Sequence, residues 1–148
     1  MTDECYRAKQ WLTRVYVVAK RVEINERMLE VLKCKVDSAT AVYENSGARG
    51  DREQAQKRRE DALLDYIEQA DKVDRSKNLM KKEARRVNRV IKKIDDEKIA
   101  YVMELRYVKL LAWADVVKVV NYSRAQVFRF HSEGLEKSAA ILKDLYKW

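Results

Sequence analysis

The feature that most constrains this chain is the near absence of helix breakers: its 148 residues include no proline and only three glycines. Proline and glycine are the residues that most often interrupt regular structure, so long stretches without them favour long helices. Apolar residues recur at helical spacing rather than in the alternation that is typical of strands. Charged residues make up 38% of the chain, which suits exposed helical faces. The sequence therefore predicts an all-α protein.

Two seven-residue apolar repeats predict a long antiparallel helical hairpin, or coiled-coil arm, over residues 1–94. Between the repeats, residues 45–51 contain Gly47 and Gly50 and break the pattern, so we place the turn of the hairpin there. Asn25 is the only polar member of the first repeat, and a single Asn in such a seam commonly sets helix register. The first repeat comprises Ala8, Trp11, Val15, Val18, Val22, Asn25, Leu29, Leu32, Val36, Ala39 and Tyr43, and the second comprises Leu63, Tyr66, Ala70, Val73, Lys77, Met80, Ala84, Val87, Ile91 and Ile94.

A two-helix hairpin buries only part of this apolar surface. Trp11, Leu12 and Val17, near the start of the arm, call for a further helix to cover them. That helix comes either from a second copy of the chain, which makes a homo-oligomer one expected partner, or from the C-terminal domain. The alternative is a self-sufficient bundle in which the C-terminal helices fold back. The sequence leaves these arrangements open.

Residues 95–148 form the second predicted domain. Its first helix follows Asp95 and Asp96, whose charges suit the positive end of a helix. The segment 113–130 then reads as two short helices joined by a tight turn, a helix-turn-helix. Asn121 suits a left-handed turn position, and Ser123 can cap the second helix. The core of the first helix comprises Ile99, Val102, Met103, Leu105 and Tyr107, and the residues that wedge the next two helices together are Val116, Val120, Tyr122, Val127 and Phe130.

The start of the second helix of this motif is expected to enter the major groove of double-stranded DNA. Arginine can bind guanine through two hydrogen bonds, and glutamine can bind adenine in the same way. Phe128 has two interpretations: an exposed ring that meets a thymine methyl or a partner protein, or a ring packed on the first helix of this domain, the support helix. The predicted base contacts are Arg124, Ala125, Gln126, Phe128 and Arg129, and the predicted backbone contacts are Tyr122, Ser123, His131, Lys118, Arg89, Lys92 and Lys93.

The formal net charge of +8 is concentrated in the arm, because residues 95–148 carry nine Lys or Arg against eight Asp or Glu. Much of the excess lies in one basic run from Lys72 to Lys93. Cations at this density can neutralise DNA phosphates and give salt-dependent, sequence-independent affinity. The alternative is a solvated helix face that is balanced by acidic residues on the other helix.

A family resemblance becomes visible at the motif residues. The segments Leu105-Arg-Tyr-Val, Trp113-Ala-Asp-Val, Asn121-Tyr-Ser-Arg and His131-Ser-Glu-Gly-Leu135, together with Val127, resemble the C-terminal pattern of the ArpU- and RinA-like phage transcription regulators. That pattern is itself similar to the promoter-reading fourth region of bacterial sigma factors. The match covers residues 105–135, about a fifth of the chain. The resemblance implies sequence-specific binding near phage late-gene promoters, help in recruiting host RNA polymerase, and a location in the cytoplasm of the host bacterial cell.

Three positions depart from the family pattern. Val117 stands where Ala is usual, so the two helices must pack more loosely or at another angle. Ala112 stands where a capping Ser is common, and Ala125 where sigma-like domains often carry an acidic base reader. The target sequence therefore does not transfer from the family.

Catalytic and metal chemistry find little support in the sequence. His131 is the only histidine, and together with the two cysteines, Cys5 and Cys34, it cannot complete a four-ligand zinc site. The two cysteines fall in one predicted helix, roughly 40 Å apart, and are read as reduced thiols. The sequence predicts neither a secretory signal nor a membrane span. We therefore expect a protein that is not an enzyme and has no cofactor, no metal and no membrane partner.

Three functions remain. The leading hypothesis is a phage or prophage DNA-binding transcription regulator. The second is a small terminase subunit, a DNA-packaging protein that also joins a helix-turn-helix to a helical assembly region. The third is a structural coiled-coil protein in which the motif serves packing alone.

Overall fold

The computed structural model describes residues 1–47 and 49–148, and for Arg49 the backbone alone. Within these residues the chain forms helices and no strand, so the predicted all-α class is confirmed. The helices are α1 (Asp3–Leu12), α2 (Arg14–Glu44), α3 (Arg49–Ile91), α4 (Glu97–Tyr107), α5 (Trp113–Val120) and α6 (Arg124–Tyr146).

The helix that was predicted to carry the first apolar repeat is interrupted at Thr13, which separates α1 from α2. The Thr13 hydroxyl donates to the carbonyl of Gln10 at 2.8 Å, a local bond that competes with helix continuation. Cys5 and Cys34 therefore lie in two helices, and the prediction of one continuous helix was wrong. Both are free thiols, as expected, and Cys5 is buried whereas Cys34 is exposed.

The turn between α2 and α3 is shorter than the predicted segment 45–51. The side-chain amide of Asn45 donates to the carbonyl of Ala41 at 3.0 Å after the end of α2. Gly50 and Asp51 lie within α3, where the carboxylate of Asp51 complements the positive end of the helix. Ala48, also within the predicted turn, is outside the described residues.

The chain divides into two compact units, and α2 and α3 contribute residues to both. Residues 1–18 and 80–148 form one, here called the core unit, and residues 19–79 form the other, the arm unit. The predicted boundary between residues 94 and 95 therefore differs from the structure. The physical reason is that α6 packs against both α1 and α4, which draws the N-terminus into the same core as the C-terminal helices.

The largest apolar cluster of the core unit joins residues from five helices and from the segment after α3. Leu12 and Val15 are fully buried there, together with Val87 and Ile91 from α3. Ile99, Met103 and Tyr107 from α4 and Leu135 from α6 complete the cluster. A second cluster joins Ala8, Val90, Ala139 and Leu142. Of the three apolar residues expected to need cover, Leu12 is buried and Trp11 half-buried, whereas Val17 is 54% exposed.

The arm unit contains the remaining parts of both apolar repeats. Val22, Leu32, Ala55 and Val73 are buried in it. The side-chain amide of Gln69 donates to the carbonyl of Asn25 at 2.9 Å, and Lys77 pairs with Glu26 at 3.4 Å. Among the described residues, Lys77 is the one exposed member of the two predicted repeats. Its charged ammonium lies at the surface, where it pairs with Glu26.

The first helix after the arm matches its prediction. Asp96 caps α4 by accepting from the backbone N–H groups of Lys98 and Ile99, and the five predicted core residues of α4 are buried. On α6, Gly134 permits close approach to α4, since a Cβ there would stand 2.5 Å from the sulfur of Met103. Met103 is fully buried, so a side chain at position 134 would force it to shift within a packed core.

Candidate nucleic-acid interface

The connection between α5 and α6 uses the two residues that the sequence assigned to it. Asn121 adopts the left-handed conformation, with φ 58° and ψ 36°, and ends α5. Ser123 is extended, and its hydroxyl accepts from the backbone N–H of Gln126 at 3.2 Å. Both predicted local roles are confirmed. At the other end of α5, Ala112 provides no side-chain cap, because alanine has no side-chain hydrogen-bond acceptor.

A small apolar cluster holds α5 against α6. Val116 and Val127 are fully buried there with Val102 and Leu105 of α4, and Val117, Val120 and Phe130 pack against them while half-buried. Four of the five predicted wedge residues are therefore at least half-buried.

Tyr122 is the exception, because it is 38% exposed. Its ring meets Phe130 edge-on at 5.3 Å, and the ammonium of Lys98 lies 5.9 Å from the ring centroid. The residue follows the left-handed turn rather than lying in a helix, so one side of the ring packs and the other faces water. The expectation that Tyr122 is a buried wedge was wrong. Its exposure agrees with its other assignment, as a candidate backbone contact.

The first turns of α6 present a polar, basic surface. Arg124, Ala125 and Arg129 are exposed, and Gln126 is half-buried. A guanidinium N–H of Arg129 donates to the side-chain carbonyl of Gln126 at 3.1 Å. This bond orients two of the predicted base-reading side chains with respect to each other. Ser123 is also exposed, so its hydroxyl remains at the surface while it caps the helix.

Phe128 is half-buried and is not the exposed ring that one reading expected. Its ring lies 5.0 Å from that of Trp113 at the start of α5, and the guanidinium of Arg124 lies 5.3 Å from its centroid. The prediction that the ring packs on the support helix, α4, was also wrong in its partner, because Phe128 packs on Trp113 of α5. The structure thus makes Phe128 a platform beneath Arg124.

His131 is buried, with 8% of its surface exposed, and so is not placed to touch a phosphate. Its Nε2 atom and the hydroxyl of Tyr107 are hydrogen-bonded at 2.6 Å, and its ring meets Trp113 edge-on at 4.6 Å. Burial, together with the positive charges of Lys9 and Arg106, lowers the pKa of His131 to about 4. Burial also raises the pKa of Tyr107 to about 12. The predicted backbone contact at His131 was wrong, because the imidazole is buried against Tyr107 and Trp113.

The other predicted backbone contacts lie on the surface of the core unit. Lys118 on α5, Arg89 on α3, and Lys92 and Lys93 just after α3 are exposed. Farther back in the basic run, within the arm unit, Arg75 pairs with Asp71 at 3.1 Å and Lys77 with Glu26. Arg75 and Lys77 are themselves exposed, so these ion pairs lie on the surface, and both interpretations of the basic run stay predictions.

Trp113 organises this region in a way that the sequence pattern did not reveal. Its ring contacts Phe128 and His131, which both follow it in the chain. The guanidinium of Arg106, which precedes it, lies 4.7 Å from the Trp113 ring centroid. Arg106 is held in place because it also donates to the carbonyl of Leu111 at 2.9 Å. An aromatic residue at the start of a helix gives no local signal of such long-range partners, so periodicity alone could not find them.

Comparison with protein-family models, curated proteins and solved structures finds no match to this chain. Among the described residues, no three His, Cys, Asp or Glu side chains gather where they could hold a metal ion. The helices in that part of the chain include none with the length and apolar character needed to cross a membrane.

Proposed function

We propose that this protein is a sequence-specific DNA-binding transcription regulator of phage or prophage origin that acts at late-gene promoters. The observation that carries the proposal is the exposed start of α6, where Arg124 and Arg129 project from a helix that is capped by Ser123 and preceded by the left-handed Asn121. A helix presented in this way can place its first turns in the major groove. Arginine at these positions supplies the donors that guanine accepts.

The local charge supports the same reading. Between residues 109 and 131 the chain has four cations, Lys109, Lys118, Arg124 and Arg129, against the single carboxylate of Asp115. The first turn of α6 has no acidic residue, so the positive end of the helix is not neutralised by its own side chains. Arg89, Lys92 and Lys93 add exposed positive charge to the same core unit. In this proposal α6 supplies specificity and these cations supply phosphate attraction.

The resemblance to ArpU- and RinA-like regulators extends the proposal to its setting. Host RNA polymerase is the further partner it implies, and the cytoplasm of the host bacterial cell is the implied location. The proposed role involves no catalytic step, metal or cofactor. Binding energy alone, partitioned between base edges and phosphates, accounts for the activity.

Selection of binding sites from a randomised duplex pool, followed by titration of the arginine variants, tests the proposal. We expect Arg124→Ala and Arg129→Ala each to weaken binding to the selected site by about 1–3 kcal/mol and to relax specificity at one base position. The reason is that each variant removes a side chain able to pair with a base edge. Affinity is measured by fluorescence anisotropy at a stated moderate salt concentration.

Arg21→Ala is the matched control, since Arg21 is an exposed arginine of the arm unit. It should leave sequence preference unchanged. The absence of any enriched sequence after selection would contradict the proposal. So would wild-type affinity in the Arg124→Ala, Arg129→Ala double variant, an outcome that favours the structural coiled-coil alternative.

A small terminase subunit remains the second candidate because the arm unit carries unpaired apolar surface suited to assembly. On α2, Ile24, Met28 and Val31 are 63%, 47% and 52% exposed, at the spacing of a coiled-coil seam. On α3, Leu64 and Ile67 are 61% and 60% exposed. Both functions use such a surface for self-association. They differ in the number of copies that assemble.

We expect the protein to self-associate through this α2 seam, so that Ile24→Glu together with Met28→Glu shifts it to the monomer. Each charge would have to be buried in the interface, which is costly when it has no partner there. Size-exclusion chromatography with light scattering measures the mass, and Lys33→Glu, an exposed change in the same helix, is the control. A dimer supports regulation, and a ring of many copies supports the terminase alternative. A wild-type protein that stays monomeric at high concentration would rule out self-association.

A further inference from the structure

A pocket of about 760 Å³ lies within the core unit, beside the start of α5. Pockets of roughly 300–1,000 Å³ that are lined mainly by apolar and aromatic groups are typical of small-molecule sites. Aromatic side chains make up much of this wall. They are Tyr16, Tyr107, Trp113, Phe128 and His131.

The charged residues that line the pocket are all cations. Lys9 comes from α1 and Arg106 from α4, and no Asp or Glu is among the lining residues. Arg106 is held by its hydrogen bond to the carbonyl of Leu111 at 2.9 Å and by its position 4.7 Å from the Trp113 ring centroid. A cation that is already oriented loses less conformational freedom when it binds an anion. The positive charges of Lys9 and Arg106 also act on His131 and lower its pKa, which agrees with a positive potential in the pocket.

The backbone at the pocket wall is strained at Leu110. This residue lines the pocket with φ 58°, in the left-handed region that residues with a Cβ seldom adopt. Leu110 also packs against the main apolar cluster while half-buried. Strained backbone positions concentrate at ligand-binding and functional sites, because the surrounding packing must hold them. This observation is independent of the pocket's charge and shape.

We propose that this pocket binds a small aromatic carboxylate, with its ring against the aromatic wall and its carboxylate at Lys9 and Arg106. The aromatic wall accounts for the planar, apolar part of the ligand. The two cations, which have no carboxylate beside them in the pocket, account for its negative charge. The site goes beyond the proposed DNA-binding role and does not depend on it, since no residue of the exposed arginine surface is required for the ligand to bind.

The chain provides an unambiguous reporter for this site, because His131 is its only histidine and lines the pocket. We would titrate the full-length protein at pH 7.5 with 1-naphthoate and follow the imidazole resonances of His131 by NMR. The neutral analogue 1-naphthalenemethanol and the cationic analogue 1-naphthylmethylamine have the same ring system and test the role of charge. We expect a saturable shift with 1-naphthoate, and binding about five- to tenfold weaker for the neutral analogue.

Lys9→Met tests the assigned cation, since Lys9 is exposed and Met keeps most of its apolar length. We expect this variant to bind 1-naphthoate about five- to tenfold more weakly, whereas Lys81→Met, an exposed change outside the pocket, should match the wild type. Unchanged circular dichroism establishes that both variants are folded. The proposal is overturned if 1-naphthoate causes no saturable shift of His131, if the three analogues bind equally, or if Lys9→Met binds like Lys81→Met.

Discussion

Leu12→Ala should lower the free energy of unfolding of the core unit by about 2–5 kcal/mol. Leu12 is fully buried in the cluster that contains Val87, Met103 and Leu135. Removing its side chain loses the transfer free energy of the buried carbon atoms and leaves a cavity that helices from three parts of the chain cannot easily close. The substitution lies about a hundred residues before α4–α6 in the sequence, yet it removes packing that stabilises these helices.

The loss can be measured by urea denaturation followed by tryptophan fluorescence, because Trp11, Trp113 and Trp148 all lie in the core unit. Val17→Ala is a control, since Val17 is 54% exposed and its truncation should change stability by less than about 0.5 kcal/mol. Hydrogen exchange adds a regional test, in which amides of α4 and α6 lose protection with those of α1. Loss of protection confined to α1 would show that the C-terminal helices form a separate domain, as the sequence had suggested.

The local structure could be predicted where a few neighbouring residues determine it. Asn121 ends α5 because its side chain tolerates the left-handed conformation, and Ser123 starts α6 because its hydroxyl reaches a backbone N–H three residues ahead. Asp96 acts in the same way at the start of α4. The apolar repeats were informative for a similar reason, since burial on one helix face imposes a regular spacing.

The division into units could not be predicted from the same signals. A seven-residue repeat continues across Thr13, so it conceals the break between α1 and α2. It identifies the apolar face of a helix but not the helix that covers that face. The packing of α1 on α6 joins residues more than a hundred positions apart, and no local pattern encodes that choice. The predicted boundary at residue 94 placed this packing partner in another domain.

The candidate interface shows the same limit at single residues. Arg124 and Arg129 were assigned to the surface from their positions on α6, and both are exposed. His131 was predicted to contact the DNA backbone, yet it is buried and hydrogen-bonded to Tyr107, 24 residues earlier in the chain. Phe128 is similarly determined by a long-range partner, Trp113. Helical position therefore predicted exposure well for residues without a tertiary partner and poorly for residues with one.

The buried His131 should make the core unit sensitive to mild acid. Its pKa is lowered to about 4 in the folded protein, against about 6.5 for an unperturbed histidine. Between these values the unfolded chain binds a proton that the folded chain does not, so stability is retained above pH 6.5 and is lost as the pH falls toward 4. We expect the free energy of unfolding to fall by about 2 kcal/mol between pH 7.5 and pH 5.

His131→Gln isolates this contribution, since glutamine can hydrogen-bond with Tyr107 but does not titrate. The variant should lose most of the decrease between pH 7.5 and pH 5 in urea denaturation, whatever its stability at pH 7.5. The lowered pKa of Asp95, which is exposed and pairs with Lys137, acts in the same direction but at lower pH, and it is common to both proteins. An equal decrease in wild type and variant would therefore show that His131 is not the group responsible. A decrease confined to the wild type would identify protonation of the buried His131 imidazole as its cause.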